Sequence, residues 1–281
     1  MTTAGIVSPG FMGAGLGGAL RSGGARVVAT VDRRSARTKR LAEAAGLELL
    51  PTLQDVLAAA DIVLVVTPPG EAVAAATAIR GAAEATRSSP LVADLNAVSP
   101  TTMARIEAEL GDLRLVDGSI SGPPPSDRPG ARLYLCGPEA GAVAGLPWDG
   151  QVEPIVLGDR VGAASALKMC TGSVYKGLIA LVTQAMRTAG AYGVLEGVVS
   201  DLERAGLAQT DGVARGATKA WRYVDEMREV AATQEAAGLT PELFAAIAEI
   251  YAGVSRTELA QGDPESIREL SAAEIVRRLG R

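Results

Sequence analysis

Histidine is absent from all 281 residues of the chain. That gap excludes Ser-His-Asp hydrolysis, His-ligated zinc and imidazole proton transfer, so any general acid or base has to be lysine, tyrosine, cysteine or a carboxylate. Cysteine is nearly missing as well. Cys136 and Cys170 are too few for a disulfide framework and read as reduced thiols of a cytoplasmic protein. No apolar run, IVLVVTPPG included, is long enough to span a bilayer, and the N-terminus shows no basic segment followed by an apolar one, so neither a membrane nor a secretory route is expected. The net charge of −5, with Lys and Arg dispersed, argues against a nucleic-acid partner. A metal is not indicated.

What the chain does have is apolar bulk and glycine: 48% hydrophobic residues and 33 Gly, enough for one large or two ordinary domains. Strand-length runs at AGIVS (4–8), ARVVATVD (25–32), DIVLVVT (61–67) and PLVADLN (90–96) alternate with the helical stretches GAGLGGALRSG, RTKRLAEAAG and GEAVAAATAIRGAAEATR. That alternation predicts a mostly parallel sheet covered on both faces. Further strands are expected at 113–121, 131–137 and 152–158. From about Gly162 a proline-free segment with helical spacing predicts one long helix. Helices follow to the end, with breaks near 206–212, 237–242 and 261–266 and a helix start at Thr240-Pro241, Thr240 serving as N-cap. The expected organisation is an α/β domain over 1–160 and an all-α domain over 161–281.

The run Ser8-Pro9-Gly10-Phe11-Met12-Gly13 stands where a dinucleotide-binding fold carries Gly-x-Gly-x-x-Gly between its first strand and first helix. Gly10 would let backbone approach a pyrophosphate, while Gly13, Gly15 and Gly17 would pack the helix on the sheet. Ser8 replaces the turn glycine and suits the loop if its backbone stays in the β region. Asp32, about twenty residues on, stands where an acidic group meets the adenosine ribose. Asp32 favours NAD, whereas Arg33, Arg34, Arg37 and Lys39 suit a 2′-phosphate. The basic cluster tips the reading of an NAD(P) cofactor towards NADP. Thr67, Pro68 and Pro69 end a strand at the sheet edge where ligands collect.

These pieces resemble the β-hydroxyacid dehydrogenase superfamily, which includes 6-phosphogluconate dehydrogenase and the imine reductases. GIVSPGFMG is similar to its cofactor loop and VVTPPGEA to the loop beside the nicotinamide. DLNAVSP is similar to its Asp-x-Ser-Thr-x-x-Pro segment, DGSISGPPP to its Ser-Gly-Gly loop, and GAASALKMCTGSVYK to its catalytic-lysine helix. The later half resembles a little-characterised bacterial 6-phosphogluconate-dehydrogenase-like subgroup. The resemblance implies a Rossmann domain followed by an α-helical domain that completes a homodimer. It implies Lys168 as the catalytic lysine, Ser121 and Gly122 as holders of a substrate carboxylate, and Asn96 in place of the family's serine, beside substrate and cofactor. Two departures matter: the family's asparagine is Gly172 here, and the acid of 6-phosphogluconate dehydrogenase is Tyr175, which argues against sugar-phosphate decarboxylation.

By helical spacing Lys168, Thr171, Gly172 and Tyr175 form one stripe. Lys168 lies among Ala, Leu, Met and Cys, where partial desolvation suits an ammonium to proton transfer. Tyr175 is expected to anchor substrate, and Lys176 is the competing lysine. Trp221, Tyr223, Glu226, Met227 and Glu229 are candidates to close the site from the α-domain. The expected activity is hydride transfer between NAD(P)H and a small hydroxy/oxo acid. Imine reduction on the same fold and a non-catalytic NAD(P)-binding sensor or scaffold are the alternatives.

Overall fold

The computed structural model describes residues 2–262 and 270–280. The β-branched runs form strands and the alanine-rich segments between them form helices. In chain order these are β1 (Thr3–Val7), α1 (Phe11–Ser22), β2 (Arg26–Ala29), α2 (Ala36–Ala44), β3 (Glu48–Leu49), α3 (Leu53–Ala59), β4 (Ile62–Val65), α4 (Ala72–Thr86), β5 (Leu91–Asp94), α5 (Pro100–Leu110), β6 (Leu115–Ser121), β7 (Ala131–Cys136), α6 (Ala140–Ala144) and β8 (Val152–Val156). One eight-stranded sheet results, in the order β3-β2-β1-β4-β5-β6-β7-β8. All neighbours are parallel except β6 and β7. This is the expected Rossmann-like α/β fold.

Both faces of the sheet are buried, which is why its strands read as continuous apolar runs rather than alternating ones. On one face Ile6, Val27, Leu64 and Leu133 pack with Leu16 and Leu20 of α1 and Val143 of α6. On the other Val28, Val63 and Val92 pack with Leu57 of α3, Ile79 of α4 and Ile106 of α5. Each such side chain contributes about 1.5–3 kcal/mol on burial. Two helices beyond the expected set carry their own start signals. Thr52 and Asp55 form a capping box that opens α3, and Ser99 accepts the Thr102 N–H ahead of Pro100 to open α5.

The chain divides into two compact units, one ending at Lys168 and one beginning at Met169. The long helix α7 (Ala163–Ala191) starts in the first and continues into the second, which also contains α8 (Leu195–Arg204), α9 (Thr210–Ala217), α10 (Ala220–Ala236), α11 (Glu242–Val254) and α12 (Ala272–Leu279). The breaks near 206–212 and 237–242 are present, while the break placed at 261–266 lies, from residue 263 on, outside the described residues. The start of α11 differs from expectation. Pro241 is its N-cap residue, and the Thr240 hydroxyl donates to the Glu242 carboxylate instead of capping the backbone. No helix among the described residues is long and apolar enough to cross a membrane.

Candidate active site

The strand order runs outward in opposite directions from β1 and β4, so the loops leaving the carboxyl ends of these two strands flank a topological switch point, the usual place for a ligand in such a sheet. Residues 8–10 leave β1 there. Ser8 has φ +67°, in the left-handed region, not the β region that the sequence reading assumed. That conformation favours glycine, and the serine bears a strain of about 1–2 kcal/mol in it. Gly10 donates its N–H back to the Ser8 carbonyl at 2.8 Å, closing a tight turn over Pro9. The first bond of the α1 ladder runs from the Ala14 N–H to the Gly10 carbonyl. The amides of Phe11, Met12 and Gly13 therefore precede that ladder, at a helix end with no side-chain cap and no acidic residue in its first turn.

Two glycines of this loop serve opposite ends, one close approach and the other open space. A Cβ on Gly13 would stand 2.5 Å from the Ser8 carbonyl oxygen, and one on Gly10 would meet nothing within 4 Å. The first fixes α1 against β1, while the second leaves a backbone surface that a pyrophosphate can approach. Gly15 differs from expectation: it packs on Pro124 and Pro125 of the loop after β6, not on the sheet.

Asp32 lies just beyond β2, and with Val31, Arg33, Lys39, Leu49, Leu50 and Pro51 it lines a cavity of about 520 Å³. Half-buried apolar side chains beside exposed charged ones suit an adenosine. Arg33 lies 3.8 Å from the Asp32 carboxylate. Arg34 pairs with Glu71 at 3.5 Å, and Arg37 lies 6.0 Å from the centre of the Phe11 ring.

At the end of β4, Thr67 is buried, and its hydroxyl has no hydrogen-bond partner. Orphaning a buried hydroxyl costs about 1–3 kcal/mol, so the group is unexplained unless a ligand takes it. The Thr67 backbone is held in place: its N–H donates to Asn96 Oδ1 at 2.6 Å, and Asn96 Nδ2 donates to Asp94 Oδ2 at 3.0 Å. Asn96 is 2% exposed. Its carboxamide thus ties the ends of β4 and β5 together; it is placed as a brace for Thr67. Burial pushes the Asp94 carboxyl up to about 7 against the pull of the Asn96 backbone N–H, and the charge of Asp117 adds to the rise.

Pairing of β5 with β6 ends at Asp94 and Asp117, whereas β6 continues to Ser121 with β7 as its remaining neighbour. Asp117 sits under the first turn of α7. It accepts the N–H groups of Gly162 and Ser165 at 2.8 and 3.2 Å, the Ser165 hydroxyl at 2.8 Å and the Cys136 thiol at 3.1 Å. Burial pushes that thiol up to about 11, so it stays a donor at neutral pH. One turn along α7, half-buried Lys168 donates from Nζ to the Ile120 carbonyl at 2.7 Å. Ser121 and Gly122 follow at once, with Gly122 at φ +127°. Lys168, Ser121 and Gly122 are thereby gathered at the overhanging end of β6. The Ser119 hydroxyl, on the same strand, is buried and orphaned.

In the second unit Tyr175 is 69% exposed on α7. Lys176 lies 2.5 Å from Glu226 Oε1, with side chains 14% and 7% exposed, and 5.2 Å from the centre of the Tyr223 ring. Tyr251 donates to the Lys176 carbonyl at 2.7 Å and meets Tyr223 edge-on, at 5.2 Å between ring centres. Burial pushes the Tyr251 phenol upward. Glu226 and Tyr223 are therefore bound up in the α-helical core. Asp94, Asp117 and Ser119 are the polar residues that sequence reasoning passed over.

Residues 3–146 match the family described as the NAD binding domain of 6-phosphogluconate dehydrogenase, and residues 189–254 match a domain of unknown function, DUF1932. The chain belongs to the β-hydroxyacid dehydrogenase superfamily. Among its relatives, an uncharacterised 28.5 kDa protein of Methanothermus fervidus is 27% identical over 62% of this chain and 65% of its own length. The chain thus aligns with a little under two thirds of that relative. A solved protein of unknown function, described as structurally similar to 3-hydroxyacid dehydrogenases, is 25% identical, with a TM-score of 0.65 over 95% of this chain and 100% of its own. Mycobacterium tuberculosis 3-hydroxyisobutyrate dehydrogenase, solved with L-serine, shares the superfamily fold at 20% identity, with a TM-score of 0.69 and full coverage of both chains.

Proposed function

We propose that this superfamily member transfers hydride between NAD(P)H and a small hydroxy/oxo acid, with Lys168 as general acid and base. The observation that carries the reading is the Lys168 ammonium, half-buried and tethered by the Ile120 carbonyl where β6 overhangs the sheet. The loops of β1 and β4 support a dinucleotide beside it through the open Gly10 backbone, the uncapped start of α1 and the orphaned Thr67 hydroxyl. Pro68 and Pro69 stiffen that second loop. A bound nicotinamide supplies the hydride. Lys168 Nζ gives its proton to the substrate oxygen during reduction and takes the hydroxyl proton during oxidation. The Ser121 hydroxyl and the Gly122 backbone are suited to the substrate carboxylate.

NADP is the proposed cofactor. Arg33 and Lys39 line the cavity, Arg34 and Arg37 belong to the same basic segment, and Asp32 is the acidic residue among the lining. Asp32→Ser should therefore tighten NADPH binding. A homodimer belongs to the same proposal, since Val174, Tyr175 and Leu181 leave apolar surface on α7, 66%, 69% and 58% exposed. Sedimentation at equilibrium tests it; a monomer at micromolar concentration refutes it.

Calorimetric titration with NAD(H) and NADP(H), followed by a panel of hydroxy acids, oxo acids and cyclic imines read by nicotinamide absorbance, tests the activity. Lys168→Ala should lower kcat by about 10²–10⁴-fold with cofactor affinity little changed. Full turnover in that variant refutes the role of Lys168, and tight cofactor binding without any turnover identifies a sensor.

A further inference from the structure

Three successive prolines follow Gly122 and open the loop between β6 and β7. A proline has no N–H and holds φ at about −65°, so such a stretch is stiff and can be buried without orphaning a donor. Pro124 and Pro125 are buried. The Pro124 carbonyl accepts the N–H groups of Asp127 and Arg128 at 2.9 and 3.1 Å, which closes the loop into a turn. At its start the loop is held against β7, where a Cβ on Gly122 would stand 3.1 Å from Ala131 Cα. Its other contact is Gly15, buried in α1. A Cβ there would stand 3.1 Å from Pro124 Cβ and 3.2 Å from Pro125 Cδ, both closer than ordinary van der Waals contact. Ring carbons cannot swing aside as the tip of a long side chain does. Gly15 is within one turn of Phe11, Met12 and Gly13, whose amides precede the α1 ladder.

We propose that Gly15 is a positioning residue for Ser121 and Gly122. By carrying no side chain it lets the proline loop seat directly on α1, and this contact fixes the end of β6 relative to the helix that meets the dinucleotide. The proposal rests on the reading of Ser121 and Gly122 as holders of the substrate carboxylate. Substrate is then held by the residues that lead into the loop, and the cofactor by the start of the helix on which the loop rests. Transfer between two bound reactants depends on their placing, and a misplacement of about 1 Å costs about 10²-fold. The three prolines carry a displacement at Gly15 back to Gly122 because they have little freedom to absorb it.

The test is kinetic and calorimetric, on the full-length protein. Gly15→Ala makes the loop give by a few tenths of an ångström, while alanine is the better helix former and leaves α1 no weaker. The variant should lower kcat/KM for the hydroxy or oxo acid by about 3–10-fold, with the Kd of the cofactor unchanged. Pro125→Ala removes the ring carbon that the new methyl would meet, so Gly15→Ala should cost less in that background than in wild type. An unchanged kcat/KM, a cofactor Kd weakened by the same factor, or losses that simply add overturns the proposal. Hydrogen exchange reads the seating of the loop without turnover: Gly15→Ala should speed exchange across residues 119–132 and leave residues 3–13 as they are. If wild-type protein turns over no acid while exchange still changes in this way, the enzymatic reading fails and the seating of the loop on Gly15 stands. Equal exchange in both proteins overturns the seating itself.

Discussion

Ionising Asp94 should weaken the fold, and the pH dependence of stability should show it. Burial pushes its carboxyl up to about 7 in the folded chain from the 3.8 of a free aspartate, and the charge of Asp117, opposite on β6, adds to the rise. A raised acid pKa means the native state keeps a proton that the unfolded chain releases. Below pH 4 both states hold it and nothing is lost. From there to pH 7 stability falls with rising pH, and above 7 the loss levels off. That rise corresponds to about 4 kcal/mol in all, of which about 2.5 kcal/mol falls between pH 5 and 8. Asp94→Asn supplies the control, since it cannot titrate. Its carboxamide does not replace the carboxyl group cleanly, because Thr67 fixes the Asn96 oxygen and so points the Asn96 NH₂ at residue 94, where an amide NH₂ cannot accept it. The variant should accordingly be less stable than wild type at pH 5, and the gap should close by about 2.5 kcal/mol on going to pH 8. Urea denaturation at half-unit pH intervals measures it. A gap that stays constant across that range refutes the reasoning, whatever its size.

Ser8→Gly should stabilise the apo protein by about 0.5–1 kcal/mol, since the strain of a left-handed serine outweighs the extra chain freedom of glycine; a lowered Tm by calorimetry would contradict the backbone argument. Lys176→Met leaves the Glu226 carboxylate buried without its partner, an expected loss of about 3–5 kcal/mol, most of it recovered in Lys176→Met/Glu226→Leu. Denaturant unfolding decides it, and a single-variant loss under about 1 kcal/mol would mean that water reaches the pair.

The apolar part of the first unit was legible because strands buried on both faces advertise themselves. The runs at 4–8, 61–67 and 90–96 needed no partner to be read, whereas the two-residue, partly exposed β3 has too few side chains to make a pattern. The helices α3 and α5 had legible starts in Thr52-x-x-Asp55 and Ser99-Pro100. The second of these signals lay inside a segment read for its likeness to a substrate loop.

The polar residues of the site were legible as types but not as partners of one another, and Asn96 shows why. Two residues past β5, the sequence offers an amide at a sheet edge, which suits a ligand contact. The fold brings the N–H of Thr67, 29 residues away in the chain, within 2.6 Å of that amide and sets Asp94 on its other side. No local spacing encodes that meeting; it follows from β4 and β5 being neighbours and ending at the same height. The same holds for Asp117, which a strand pattern reads as an outward residue between apolar ones, until α7 arrives 45 residues later and lays its amides on it. Once Asn96 and Asp117 are occupied inside the protein, the polar groups left over at that edge are fewer. The orphaned hydroxyls of Thr67 and Ser119 then become the informative ones, because a buried group without a partner is the one whose purpose lies outside the apo fold.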